Sequence, residues 1–346
     1  MLRPVLLTCL SLVLAAAAAE VAEIGVWKAG WGEARLTPGG IRSPGGLRLD
    51  DQTLRLDASH FARLTPGEQS ETYTLTVLDA AGQVQARRKL DSPALSSPDF
   101  WGTVRGPCVQ DRAPGPHLTC YSPDLKNSWV KLSGEFTLVT RDGQAAFLAA
   151  TPSQDRWLNL TRVDLNSGKR VVWRVAAGAS GESAPQRADL PQARAENVEA
   201  GVVRELPGGR LLACVRPGLS RAGCRYDVLD ARTGTRRASL AAADYNTHFL
   251  KDDPEASQNG TYLAAYGNTV HLWDTASGRE LLALRDPAWT GAFAPRAWVE
   301  PFEVLFTPDG KQLVVLVTDE DWTPQRAFVY ALPSGKRVTS FPLASR

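Results

Sequence analysis

The stretch NGTYLAAYGNTVHLWDTASGRELLAL, from Asn259 to Leu284, decides the fold predicted for this chain. Turn residues divide it into three apolar segments, each long enough for a strand and too short for a helix. Asn259–Gly260 predicts a type I′ hairpin turn, because both residues can adopt positive φ. Ser277–Gly278 marks a further turn before the last segment. The stretch therefore predicts three antiparallel strands joined by tight turns.

Two turn signals recur along the chain. The first is Asp–Gly, Gly–Gly or Asn–Gly before an apolar strand. The second residue of each pair is Gly143, Gly209, Gly260 or Gly310. The second is Ser–Gly or Thr–Gly after a later strand, at Gly168, Gly234, Gly278 and Gly335. The two signals are 25 residues apart in three cases (143 to 168, 209 to 234, 310 to 335) and 18 apart in the fourth (260 to 278). Such an internal period indicates a repeat fold.

Each repeat predicts a four-stranded antiparallel sheet with apolar residues on both faces. Such a sheet has to stack on neighbours, and radial stacking of twisted sheets gives a β-propeller. We therefore predict an all-β fold, a β-propeller of about six four-stranded antiparallel blades. Five or seven blades are the alternatives, because residues 91–140 do not divide cleanly into strands. Residues 98–134 are predicted to form an incomplete blade, and Ile24–Trp31 a strand that joins the last blade.

Two repeats resemble those of known propeller families. Trp273–Asp274 occupies the dipeptide position of a WD40 repeat, although the Gly–His dipeptide that this family places upstream is missing. VDLNSGKRVVWRV, from Val163 to Val175, is similar to the repeat of pyrroloquinoline-quinone-type (PQQ-like) propellers, with Trp173 at the tryptophan position. The resemblance covers about residues 135–345. It implies the fold and leaves the activity open, because one fold hosts many functions.

The N-terminus has the features of a secretory signal peptide. Arg3 precedes an apolar run from Val5 to Ala19, and small residues stand before Glu20. Fifteen helical residues span roughly 22 Å, less than the ~30 Å of a hydrocarbon core. We predict a signal peptide over residues 1–19, no other membrane-spanning stretch, and one propeller domain over residues 20–346. A core helix or an uncleaved anchor is the alternative.

Four cysteines follow the leader, an even number that predicts disulfides in an exported chain. Three pairings are possible. We favour Cys108–Cys120 and Cys214–Cys224, because each pair flanks a turn rich in glycine or proline between two predicted strands. The rival hypothesis is a four-cysteine metal site, which lacks the C-x-x-C spacing that such sites use. An oxidising location, periplasmic or secreted, follows from the favoured pairing.

No catalytic or cofactor motif is evident. The four histidines, His60, His117, His248 and His271, form no metal-binding array, and no serine stands in a G-x-S-x-G elbow. Acidic groups at 252–255 and 319–321 lack the alternation of a calcium loop and predict solvated loops. With Arg3 removed the net charge of +2 becomes +1, so a nucleic-acid partner is not expected. No catalytic residue, cofactor or metal ligand is predicted.

Four loop residues remain as candidate contacts for a partner. His248 stands between two repeats, and loops at such positions open on one face of a propeller. Trp289, Trp298 and Trp322 also stand in connections, where they either anchor a partner or cover the ends of the blades.

The leading hypothesis is an exported, non-enzymatic scaffold that binds a protein or a cell-envelope component through loops on one face. The alternative is a periplasmic quinone- or calcium-dependent oxidoreductase, or a hydrolase, with its site in the central funnel. A third hypothesis is a purely structural member of an envelope complex.

Overall fold

Antiparallel strands account for nearly all of the regular structure. The computed structural model describes residues 23–50, 52–67, 72–91, 99–111, 115–152, 157–176, 199–216, 225–240, 254–266, 269–291, 301–318 and 324–343. Within these ranges the chain forms 27 strands and one short helix, α1 (Pro287–Gly291). His248, Trp298, Trp322, Cys224 and the leader lie outside the described residues.

Six units of four strands follow one another along the chain, after three strands at the N-terminus. The N-terminal strands are β1 (Ile24–Lys28), β2 (Gly32–Thr37) and β3 (Gly40–Arg42). The first three units are β4–β7 (Thr53–Arg55, His60–Pro66, Thr72–Asp79, Val84–Asp91), β8–β11 (Asp99–Thr103, Gly106–Asp111, His117–Tyr121, Ser128–Ser133) and β12–β15 (Phe136–Val139, Ala145–Pro152, Trp157–Asp164, Arg170–Ala176). The last three are β16–β19 (Glu199–Leu206, Arg210–Arg216, Arg225–Asp230, Arg236–Leu240), β20–β23 (Glu255–Ala256, Tyr262–Tyr266, Val270–Asp274, Glu280–Leu284) and β24–β27 (Pro301–Phe306, Gln312–Thr318, Pro324–Ala331, Lys336–Pro342).

The core lies between successive units. Within each unit the strands pair in chain order, so each sheet is a simple antiparallel meander. Buried clusters then join each unit to the next, as Leu272 of β22 does with Phe306 of β24 and Phe328 of β26. Another cluster joins the last unit to β1–β3 and to the first four-stranded unit, through Leu305, Val26 and Phe61 among others. The series of packed units thus returns to its start, which is the arrangement of a β-propeller.

The N-terminal strand joins the last unit, as the sequence predicts. β1 pairs with β24, with Trp27 opposite Phe306, so β24–β27 and β1–β3 form one seven-stranded sheet. The strand that β1 contacts is the first of its unit. The count of six four-stranded blades is confirmed, and β1–β3 add a shorter, three-stranded unit between the last blade and the first.

The prediction of an incomplete blade over residues 98–134 is wrong. The four strands β8–β11 form a complete sheet. Its first turn holds only Val104 and Arg105 between strands, and Thr103 Oγ1 donates to the carbonyl of Gly106 across it. Because this turn uses no Asp–Gly, Asn–Gly or Gly–Gly pair, the signal that marks the last four blades does not mark this one.

The turn at Asn259–Gly260 also differs from the prediction. Gly260 has φ of 69°, whereas Leu125 is the one non-glycine residue with positive φ among the described residues, so Asn259 is not in the type I′ conformation. Instead Ser257 Oγ donates to Asn259 Oδ1 and accepts from the N–H of Tyr262. A hydroxyl and a short polar side chain close this five-residue connection, which leaves only the glycine needing positive φ.

The second signal also reflects local hydrogen bonding. In the turn after β22, Asp274 accepts from the hydroxyl and the N–H of Ser277, and Gly278 adopts φ of 72°. Equivalent bonds close the turns at Asp164–Gly168 and Asp230–Gly234. The signals recur because each turn needs an acceptor, a hydroxyl and a glycine at fixed positions.

The two ends of the sheets carry different connections. Those from first to second and from third to fourth strand contain two to six residues, as at 104–105 and 122–127, and define the tight-turn face. Those from second to third strand, and from the fourth strand to the next unit, begin at the opposite end, because paired strands are antiparallel. The strand ends from which they start, among them Ala176, Leu240 and Leu284, define the long-connection face.

Candidate functional site

A central cavity of about 480 Å³ lies among the first strands of the units. Strands β4, β8, β12, β16 and β20 contribute to its wall, together with β1 and the turn after it. The lining includes residues of the first turns, such as Gly30, Arg141, Pro207 and Ser257. The cavity is therefore at the tight-turn end of the sheets.

One side of the cavity is built on a buried ion pair. Arg204 Nη1 and Glu255 Oε2 are 2.8 Å apart, and their side chains are 9% and 1% exposed. The other oxygen of Glu255 accepts from the N–H of Ala29 at 2.8 Å. Glu255 belongs to an acidic group that the sequence predicts to be a solvated loop, and that prediction is wrong for this residue. It is a counter-ion that joins β20 to β16 and to the turn after β1.

A second cation of the cavity is also neutralised. Lys28 Nζ lies 3.0 Å from Glu303 Oε2, an ion pair between β1 and β24 with both side chains largely buried. The ammonium also lies 4.4 Å from the ring centroid of Trp31, within the range of a cation–π contact. These contacts fix β1 to the last unit beyond its single pair of opposed residues.

Arg141 and Glu205 meet on the far side of the cavity. The N–H of Arg141 donates to Glu205 Oε2 at 2.8 Å, while its guanidinium reaches the carbonyl of Arg55 at 3.4 Å. Burial raises the pKa of the Glu205 carboxyl, and the hydrogen bond from Arg141 opposes this. Burial, together with the charge of Arg55, lowers the pKa of Arg141. Both shifts indicate a poorly solvated wall.

The walls between these charges are apolar. Trp27, Phe100 and Trp101 line the cavity with Leu54 and Leu138. Glu205 is the one carboxylate among the lining residues, against four cations (Lys28, Arg55, Arg141 and Arg204). Chemically, the cavity can hold a small molecule with an apolar body and negative charge.

Trp289 has the covering role that the sequence leaves open as the alternative to partner contact. It lies in α1, is 3% exposed, and its indole N–H donates to Tyr330 Oη at 2.8 Å. Tyr330 in turn donates to Asp286 Oδ2. These bonds hold the end of the β20–β23 unit against β24–β27. His248, Trp298 and Trp322 lie outside the described residues; in sequence they fall between β19 and β20, β23 and β24, and β25 and β26.

The repeat tryptophans are packing residues. Trp173 is buried against Phe147, with ring centroids 5.6 Å apart, in the cluster between β12–β15 and β16–β19. Trp273 stacks on His271, whose Nδ1 is 2.6 Å from Glu280 Oε1. Trp173 does not line the cavity, so the position that resembles a PQQ-like repeat serves the contact between sheets.

The cysteine prediction is confirmed for one pair. Cys108 and Cys120 stand opposite each other on β9 and β10 and form a disulfide. Cys214 on β17 is also disulfide-bonded, and Cys224, its predicted partner, lies outside the described residues. Both members of the described pair are fully buried.

Over the ranges that the structure describes, no helix is long and apolar enough to cross a membrane. Within the same ranges, no three side chains of His, Cys, Asp or Glu come together as a metal site would require.

Solved structures that are similar to this chain in fold include the following two. BamB from Moraxella catarrhalis matches with a TM-score of 0.45 and 11% identity, over 85% of this chain and 86% of that chain. The β-propeller domain of Cps50 (Swd1) from Myceliophteria thermophila matches with a TM-score of 0.49 and 11% identity, over 86% of this chain and 90% of that chain. No protein-family model matches, and no curated protein is similar in sequence. The strand order and stacking define the class as a β-propeller.

The charged residues that line the cavity were not predicted from the sequence. Arg55, Arg141 and Glu205 stand at or near the end of a first strand or in the turn that follows it. Charged residues directly before or within a first turn are therefore the signal that could have found them.

Proposed function

We propose that the protein is an exported, non-enzymatic β-propeller scaffold that binds a protein or cell-envelope partner through its long-connection face. One observation carries the proposal: connections of 22, 14 and 16 residues (177–198, 241–254 and 285–300) all start from the same end of the sheets, opposite the tight turns. Long connections on a rigid frame are where proteins usually place binding residues. We assign His248, Trp298 and Trp322 to this face because in sequence they fall between strands that it joins.

Export is the second part of the proposal. The leader over residues 1–19 and the disulfide between Cys108 and Cys120 support it, because disulfides persist in oxidising compartments. The leader also supports the proposed domain boundary at residue 20, and both features support a periplasmic or secreted location.

A site-specific cross-linking experiment tests the binding face. A photoreactive amino acid replaces Trp298 or Trp322 in the full chain, produced in its own cells, and adducts are identified by mass spectrometry. Matched controls carry the same group at Lys169 and Arg232, which are exposed in turns of the tight-turn face. We expect adducts to one partner from positions 298 and 322 only. Adducts from the control positions alone, or from none of the four, overturn the proposed face.

Cell fractionation tests export separately. We expect the chain in the periplasm or medium, with an N-terminus near Glu20 and intact Cys108–Cys120. A cytoplasmic chain that keeps residues 1–19 overturns export, whatever the cross-linking result.

A further inference from the structure

Two of the four cations that line the central cavity have no ion pair. Lys28 contacts Glu303 and Arg204 contacts Glu255, whereas neither Arg55 nor Arg141 forms a salt bridge with the residues the structure describes. Excess positive charge therefore gathers on one wall.

The hydrogen bonds of this pair leave most guanidinium donors free for a ligand. Arg55 Nε donates to the carbonyl of Asp57 at 2.7 Å, and Arg141 Nη1 donates to the carbonyl of Arg55 at 3.4 Å. A guanidinium carries five N–H donors, so one bond each to the described part of the chain leaves several. The nearby carboxylates of Glu205 and Asp57 offset part of the charge of Arg141, but both lie beyond salt-bridge distance of its guanidinium. Glu205 accepts from the backbone N–H of Arg141, and Asp57 accepts from Ser59 and His60.

The positive charges of Arg55 and Arg141 also repel each other. Burial and, after it, the like charge of Arg55 lower the pKa of Arg141, whose guanidinium contacts the carbonyl of Arg55. An anion between them would relieve this repulsion and accept charge-assisted hydrogen bonds from both. Trp27, Phe100 and Trp101 line the same cavity, so an apolar group on that anion would be removed from water.

We propose that the central cavity binds a small organic carboxylate with a compact apolar body, held through its carboxylate by Arg55 and Arg141. The carboxylate matches the planar donor fork of each arginine. The cavity volume of about 480 Å³ suits a ligand of this size. The site is at the tight-turn end, so it is separate from the proposed partner face and independent of it.

Calorimetric titration of the intact mature protein with benzoate tests the proposal. We expect one-to-one binding with a Kd below about 10 mM. Benzamide, the neutral analogue, is expected not to bind, and inorganic phosphate at equal ionic strength is expected to bind more weakly than benzoate. Absence of benzoate binding, or equal binding of benzamide, overturns the site. Phosphate binding as tight as benzoate overturns the role of the apolar wall.

Arginine variants assign the binding to the two residues. Arg55→Met and Arg141→Met are each expected to weaken benzoate binding about tenfold or more. The matched control is Arg87→Met, since Arg87 is exposed on β7 away from the cavity, and it is expected to bind as the wild type does. Unchanged binding in both cavity variants overturns the assignment.

A measurement on the wild type keeps the proposal testable if a variant does not fold. Phenylglyoxal modifies arginine side chains, and peptide mass analysis reports the extent at each position. We expect benzoate to protect Arg55 and Arg141 and to leave Arg87 unprotected. Equal modification of Arg55 and Arg141 with and without benzoate overturns the proposal.

Discussion

Glu255 and Arg204 form a buried ion pair between the first strands of neighbouring blades, with Oε2 and Nη1 2.8 Å apart. The same carboxylate accepts from the N–H of Ala29, 226 residues away in the chain. One side chain therefore connects three segments around the central cavity.

Removing the carboxylate of this pair should strongly destabilise the fold. Glu255→Ala is expected to lower the free energy of unfolding by about 3–5 kcal/mol, because it leaves a charge buried beside a lost partner. The double variant with Arg204→Met should lose less than the sum of the two single variants. Urea unfolding measures each value. Arg35→Met, which removes an exposed pair with Glu23, is the control and should cost at most about 1 kcal/mol. Additive losses would contradict the coupling.

Two glycines in equivalent turns should respond differently to alanine. Gly168 and Gly234 have φ of 70° and 71°, so both substitutions carry the same backbone strain of about 1–2 kcal/mol. An added Cβ at Gly168 meets nothing, whereas at Gly234 it overlaps the indole of Trp173. Gly234→Ala should therefore cost about 1–3 kcal/mol more than Gly168→Ala in chemical unfolding. Equal losses would mean that Trp173 is not packed on this turn.

The raised pKa of Glu205 predicts a defined pH dependence. Burial makes the folded protein bind the proton of the Glu205 carboxyl more tightly than the unfolded chain does. The free energy of unfolding therefore falls as the pH rises above 4.5, the ordinary pKa of this carboxyl. Glu205→Gln lacks this loss and keeps an acceptor for the N–H of Arg141. The stability of Glu205→Gln relative to wild type should therefore be higher at about pH 7.5 than at about pH 4.

Asp164→Asn provides the contrast of opposite sign. Hydrogen bonds from Ser167 lower the pKa of Asp164, so its contribution is present above the unfolded pKa and is lost as pH falls through the folded pKa. The loss of stability of Asp164→Asn relative to wild type should accordingly become smaller toward acid pH. A parallel pH response of the two variants would contradict both assignments.

Tyr330 predicts sensitivity to alkali. Burial and its hydrogen bond to Asp286 raise the pKa of the phenol, so unfolding becomes more favourable as pH rises above the ordinary value of 10.0. Tyr330→Phe should show a shallower alkaline loss. At neutral pH it should cost about 1–3 kcal/mol, because the indole N–H of Trp289 loses its acceptor. Thermal unfolding at neutral and alkaline pH measures both effects, and an unchanged alkaline slope would contradict the assignment.

The turns were predictable because their requirements are local. Gly168, Gly234 and Gly278 stand where the backbone needs positive φ, and an acceptor four residues earlier closes each turn. The blade of β8–β11 escaped prediction since its first turn uses Thr103 and Gly106 in a different pattern. The cavity could not be predicted, because residues such as Ala29 and Glu255 meet only once all units have stacked.

The pairing of β1 with β24 determines when the last sheet can finish folding. Trp27 and Phe306 are opposed although 279 residues separate them (306 − 27). A chain made from its N-terminus synthesises β1 among the earliest strands and its partner near the end. Until β24 has been synthesised, one edge of β1 stays unpaired and can pair with chaperones or with other chains. The final blade therefore completes the pairing of β1. A chain shortened before Pro301 would expose an unpaired strand edge that can pair with another chain.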